Sequence, residues 1–119
     1  MSGYFHLFVY GTLRSGGPAA ARLASCEYIA DAAVGGVLYN IDGGHTALVL
    51  YGNTPVAGEI WRCPSELLPE IDAYEGVEGG LFRRVGVSVR QPTGGDIACW
   101  TYVAGPAVAR KLIPARRRL

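Results

Sequence analysis

Glycine interrupts this chain between almost every pair of apolar runs. There are 17 glycines in 119 residues, about twice the usual share of roughly 7%. Glycine is used where the backbone must turn tightly, bulge or approach another backbone closely. The runs between the glycines are short and rich in β-branched and aromatic residues, which is the composition of strands. This punctuation points to a compact β-rich fold and away from a helical bundle.

Residues 4–10 read as a buried first strand stopped by Gly11. After the Gly16-Gly17-Pro18 loop signal, residues 19–26 favour a short helix. Strands are expected over 28–34 and 37–41, broken by Gly35-Gly36, and over 46–51 after Gly43-Gly44. Residues 56–62 alternate, with Val56, Gly58 and Ile60 on one side and Ala57, Glu59 and Trp61 on the other. Residues 82–90 alternate as well. Pro92-Thr93-Gly94-Gly95 then turns the chain into a last strand over 97–103. Residues 65–75 are the best helix candidate, because Leu67, Leu68, Ile71 and Tyr74 share one helical face. Ser65 is its candidate N-cap, Pro69 predicts an irregular first turn, and Gly76 is placed to end it in a left-handed conformation. The expected class is α+β, a strongly twisted sheet or small barrel of about six or seven strands with two short helices packed outside.

Length and charge narrow the function. A chain of 119 residues, half of them hydrophobic, makes one ordered core and leaves no room for a large cofactor domain. Cys26, Cys63 and Cys99 are odd in number and widely spaced. They read as buried small hydrophobes, with a catalytic thiol as the alternative, and not as a disulfide framework. The two histidines, His6 and His45, show no metal-binding spacing, so neither a metal nor a cofactor is expected. The N-terminal residues lack a signal-peptide pattern, and no run approaches the roughly 18 apolar residues of a membrane span. The expectation is a soluble cytoplasmic protein without a membrane partner, monomeric by default.

The net charge of +1 gives no reason to expect nucleic-acid binding, but it is unevenly spread. Up to residue 109 six arginines face ten acids, a balance of −4; beyond it lie five basic groups and no acid, +5. Residues 1–106 are read as the domain and 107–119 as a basic tail. The tail is either a solvated terminus or a weak contact for nucleic acid or an acidic partner.

Two segments could carry chemistry. At Tyr10-Gly11-Thr12-Leu13 a glycine follows a buried strand and can expose consecutive N–H groups to a carboxylate or carbonyl oxygen. The phosphate-loop pattern fails there because Gly17-Pro18 stands where Lys and Ser/Thr would be needed; an ordinary turn glycine is the plain alternative. In Ile71-Asp72-Ala73-Tyr74-Glu75-Gly76, Glu75 sits at the end of the helix where the dipole disfavours a negative charge. A solvated acid, or a salt bridge to Arg83 or Arg84, would explain it structurally. A general acid/base would explain it functionally. Asp72, three residues earlier, permits a paired-carboxylate arrangement. Tyr10, Tyr39, Tyr74 and Tyr102 are candidates to line a pocket, or core tyrosines with satisfied hydroxyls.

Taken together these segments resemble the γ-glutamylcyclotransferase-like superfamily, in its γ-glutamylamine cyclotransferase or AIG2-like branch. Tyr10-Gly11-Thr12-Leu13 is similar to its YG[ST]L signature. Ile71 to Gly76 with Leu81-Phe82-Arg83-Arg84 is similar to its LDxxEG…[YF]xR signature. Gly36-Val37-Leu38-Tyr39, Val56 to Ile60 and the strand ending at Tyr102-Val103 follow in family order. The resemblance implies a small mixed barrel with a cavity. It places helices on the outside of the barrel and implies Glu75 as the catalytic residue, with Tyr10, Gly11, Thr12, Leu13, Phe82 and Tyr102 in the substrate site. Phe82 stands where many members carry Tyr. The implied reaction converts a γ-glutamyl amide to 5-oxoproline and a free amine without a cofactor. Substrates across the superfamily range from small γ-glutamyl compounds to a carrier-protein-bound intermediate. A non-catalytic module that binds a small ligand or carrier protein in the same cavity is the alternative.

Overall fold

A computed structural model describes residues 3–11, 20–41 and 45–112. Its strands are β1 (Tyr4–Val9), β2 (Glu27–Gly35), β3 (Val37–Ile41), β4 (His45–Val49), β5 (Pro55–Pro64), β6 (Phe82–Arg90) and β7 (Asp96–Ala104). Its α-helices are α1 (Leu68–Tyr74) and α2 (Pro106–Leu112), with 3₁₀ turns at Ala20–Leu23 and Ser65–Leu67. The strand positions nearly coincide with those expected from glycine punctuation and alternation.

Five strands close into a barrel in the order β1-β5-β2-β6-β7, and β3 and β4 form a separate ribbon. The barrel is thus smaller than the strand count suggests. Gly36 is where the chain leaves it: a Cβ there would lie 2.8 Å from the Val49 carbonyl oxygen, so only glycine lets the ribbon fold this tightly. The barrel is mixed, because β1 meets β7 in parallel at Leu7 and Trp100 while the remaining pairs are antiparallel. Buried Thr101 donates from Oγ1 to the Phe8 carbonyl at 2.9 Å across this seam, satisfying its polar group where water is absent.

Alternation along β1 feeds two apolar layers. Phe8 points into the barrel with Val34, Val56, Ile60, Val89, Cys99 and Val103, and the ribbon adds Leu48. Leu7 and Val9 point outward and pack with Leu23, Cys63, Ile71 and Tyr102 beneath α1. Burial on both faces is why β1 ends in the apolar run Leu7-Phe8-Val9. The Phe8 ring lies over Gly58 so closely that a Cβ there would be 2.4 Å from its Cζ.

The helices depart from expectation in three ways. Ser65 makes no side-chain cap; Pro64 precedes a 3₁₀ turn, and α1 starts after it with Pro69 in its first turn. There the missing proline N–H has no intrahelical partner to lose, which is how the irregular start is accommodated. Residues 19–26 yield only the 3₁₀ turn at Ala20–Leu23. The second α-helix lies instead in the segment read as the start of a tail. Its start is docked by Gly105 N–H on the Leu81 carbonyl at 2.9 Å and Ala107 N–H on the Gly80 carbonyl at 3.0 Å. Val108 is buried against Ala47. Among the described residues no helix is long and apolar enough to cross a membrane.

Candidate active site

α1 has only seven residues, too few to persist alone in water. Two things hold it. Ile71 is buried in the layer over β1, a contribution of about 2 kcal/mol. The other is its C-terminal end. Gly76 takes φ +68°, donates to the Ala73 carbonyl at 3.1 Å, and is followed by a Val77 N–H on the Asp72 carbonyl at 3.1 Å. This pair of bonds is a Schellman motif. It fixes Glu75 as the C-cap of the helix and sets the direction of its side chain.

Glu75 lines a cavity of about 270 Å³ together with Phe8, Val9, Tyr10, Tyr74, Phe82 and Tyr102. Ile41, Thr46, Leu81 and Val108 complete the described wall. Burial strips water from the Glu75 carboxylate and raises its pKa from 4.5 to about 7. Among the described residues no side chain makes an ion pair or hydrogen bond with it. Glu75 is also the one charged group among the described lining residues. A lone carboxyl with a pKa near neutrality can take up and release a proton under ordinary conditions.

Asp72 is held differently. Tyr102 donates its hydroxyl to Asp72 Oδ1 at 2.6 Å, and Arg84 Nε lies 3.4 Å from the same oxygen. Arg84 in turn stacks 4.4 Å over the Trp100 ring. The ion pair considered for Glu75 is therefore made by Asp72, and the two acids do not form a shared pair. The Tyr102 phenol is pushed up by burial, by its bond to Asp72 and by the nearby Glu75 charge.

The strand-end residues divide as well. The Tyr10 ring lines the cavity, but its hydroxyl donates to the Tyr102 carbonyl and accepts the Leu48 N–H at 3.0 Å. It is a strut tying β1 to β7 and to the ribbon, and burial raises its pKa. Gly11 follows with φ +68°, its Cα so close to Thr46 that a Cβ would sit 2.7 Å from Oγ1. Any larger residue would be strained there and would press on a lining side chain. Thr12 and Leu13 lie outside the described residues. Phe82 starts β6 and presents a half-buried ring to the cavity. Tyr74 lines it too, with Arg22 stacked 4.1 Å over its ring. Tyr39 instead packs beside Ala47 and Val108.

Thr46, Ile41 and Val108 were not picked out by the sequence patterns. They come from the ribbon and from α2, elements whose docking no local motif announces. For Val108 a signal existed: Pro106 is a helix-start residue, followed by Ala-Val-Ala-Arg-Lys-Leu of good helix propensity.

Comparison with known proteins agrees with this architecture. A family profile described as γ-glutamyl cyclotransferase, AIG2-like, matches residues 7–117. The chain is 35% identical over 104 residues to the γ-L-glutamyl-butirosin B γ-glutamyl cyclotransferase of Niallia circulans, covering 82% of this chain and 65% of that protein. It thus spans slightly less than two thirds of that relative's length. Among solved structures, a γ-glutamyl cyclotransferase superposes with TM-score 0.73 at 22% identity, covering 86% of this chain and 67% of that one. An AIG2-like protein from Mus musculus gives TM-score 0.75 at 19% identity, covering 85% and 77%. A uropathogenic E. coli-specific protein covers 98% of this chain and 88% of its own, with TM-score 0.72 at 17% identity. The structural likenesses establish a common fold. With the profile matching nearly the whole sequence, this chain belongs to the AIG2-like γ-glutamyl cyclotransferase family.

Proposed function

We propose that this protein is a cyclotransferase that converts a γ-glutamyl amide into 5-oxoproline and a free amine, with Glu75 as general acid/base. The reading rests on one observation above others: a carboxyl without a partner among the described residues, with its pKa raised to about 7 by burial, in a cavity whose described wall is mostly apolar. The family membership and the activity named for the Niallia circulans relative support it.

In this mechanism the cavity holds the glutamyl group folded, so that its α-nitrogen meets its own δ-carbonyl. Glu75 takes a proton from the α-ammonium. The freed amine attacks the carbonyl, a C–N bond forms to close the ring, and the bond to the leaving nitrogen breaks. Glu75 returns its proton to that nitrogen and then relays a second one from the new ring nitrogen, so that the ring keeps a single N–H and the amine leaves protonated. The Gly11 turn is suited to present backbone N–H groups to the substrate's carboxylate or developing oxyanion. Phe82 supplies apolar contact and no hydrogen bond. We place the protein in the reducing cytoplasm, where the side-by-side Cys26 and Cys63 thiols would stay reduced.

The test is incubation of purified protein with a panel of γ-glutamyl amines, following 5-oxoproline. Turnover of at least one member is expected, with kcat/KM falling as pH drops below about 7 because the base becomes protonated. Saturable binding of every ligand with no product, in wild type and in Glu75→Gln alike, would establish a binding module instead.

A further inference from the structure

The Asp72–Tyr102 bond has a chemical consequence for the cavity. A tyrosine hydroxyl carries one hydrogen, and that of Tyr102 is given to Asp72 Oδ1 at 2.6 Å. Arg84, 3.4 Å from the same oxygen, partners the carboxylate. An ionised carboxylate only accepts, so the Tyr102 hydrogen is held on it. The phenol oxygen then has lone pairs alone to offer elsewhere. Tyr102 lines the same cavity as Glu75.

We propose that Asp72 is a positioning residue that locks Tyr102 as a hydrogen-bond acceptor for the substrate's α-nitrogen beside Glu75. This rests on the cyclotransferase reading and assigns a role to the second acid of α1. The α-ammonium gives one N–H to the Tyr102 oxygen and its proton to Glu75. After that transfer the neutral amine keeps an N–H on Tyr102, and its new lone pair, left on the side of Glu75 and away from Tyr102, is free to turn onto the δ-carbonyl. A freely rotating hydroxyl would instead donate to that lone pair and mask the nucleophile. Asp72 prevents this by occupying the hydrogen. Arg84 keeps Asp72 in place between α1 and β6, itself steadied over Trp100.

The experiment is a double-mutant cycle with Asp72→Ala, Tyr102→Phe and the double variant, each checked for folding by circular dichroism. On an amide that the wild type turns over, each single change is expected to lower kcat/KM by about tenfold or more. The double variant should be no worse than Tyr102→Phe by more than about twofold, since Asp72 acts only through the hydroxyl. Asp72→Asn keeps an acceptor oxygen and should retain more activity than Asp72→Ala; it replaces the alanine variant in the cycle if that one does not fold. Losses that multiply would overturn the proposal and leave Asp72 as a structural tie of α1 to β6. If the wild type releases 5-oxoproline from no amide, the cyclotransferase reading fails by itself. The cycle is then read on calorimetric binding of the same γ-glutamyl amides. Coupled losses there uphold the Asp72–Tyr102 pairing, and additive losses or no binding overturn it.

Discussion

The barrel interior and the layer beneath α1 are both built on β1, one from each face of the strand. Inside, Phe8 meets Ile60, Val89 and Val103, and the ribbon closes over them with Leu48. Outside, Leu7 and Val9 meet Ile71 and Tyr102 under a helix of seven residues. The interior is walled all round, so an unpaired carboxyl there would carry its full desolvation cost. The outer layer has an edge where α1 stops, and Glu75 and the cavity lie at that edge. A partly enclosed edge can raise a carboxyl's pKa toward neutrality without forbidding its charged form. The same strand thus stabilises the fold with both faces and, at its end, lines the site with Phe8 from one and Val9 from the other.

Glu75→Gln probes that division most strongly. Turnover should fall by about 10²- to 10⁴-fold, the usual range for losing a general acid/base. Stability should move the other way. The folded-state pKa is raised to about 7 from an ordinary 4.5, so the carboxyl costs nothing below pH 4.5, destabilises increasingly between pH 4.5 and 7, and carries its full cost above 7. The variant should therefore be more stable than wild type at pH 8, by up to about 3 kcal/mol, and indistinguishable at pH 4. Melting curves at the two pH values check this; equal shifts at both would show that Glu75 is not desolvated.

Ile60→Ala strikes the other layer. It should cost about 2–5 kcal/mol, measured by urea unfolding, while the folded fraction keeps its kcat. A large loss of kcat per folded molecule would mean that the two layers are mechanically one. Gly76→Ala lies at the boundary. It should cost about 1–2 kcal/mol for the left-handed backbone, and its Cβ would press to 2.7 Å from Leu81 Cδ1. Because Gly76 aims Glu75, kcat should fall more than unfolding midpoints suggest. Val108→Ala is the mildest change, about 1 kcal/mol. It enlarges the cavity wall, so KM should rise with kcat nearly unchanged.

Much of the barrel was legible because strands with glycine turns leave a two-residue period in the sequence. Val56, Gly58 and Ile60 are buried as alternation requires. Glu75 was legible because it sits where a helix dipole gives no reason for an acid, one residue before a helix-ending glycine. The division of labour between Asp72 and Glu75 was not, because it depends on β6 and β7 bringing Arg84 and Tyr102 to α1 from distant sequence positions. The tail reading failed for Val108 because a charged composition hid a docked helix.

The sequence alone determined the strands, their breaks and the residues able to do chemistry, since turns and side-chain periods are local properties. Tertiary structure alone decided which strands close the barrel, that β3 and β4 stand apart, and which of two neighbouring acids is paired. Those outcomes depend on register and on partners far along the chain, where pairing and burial, and hence proton affinity, are settled by what the fold places next to each group.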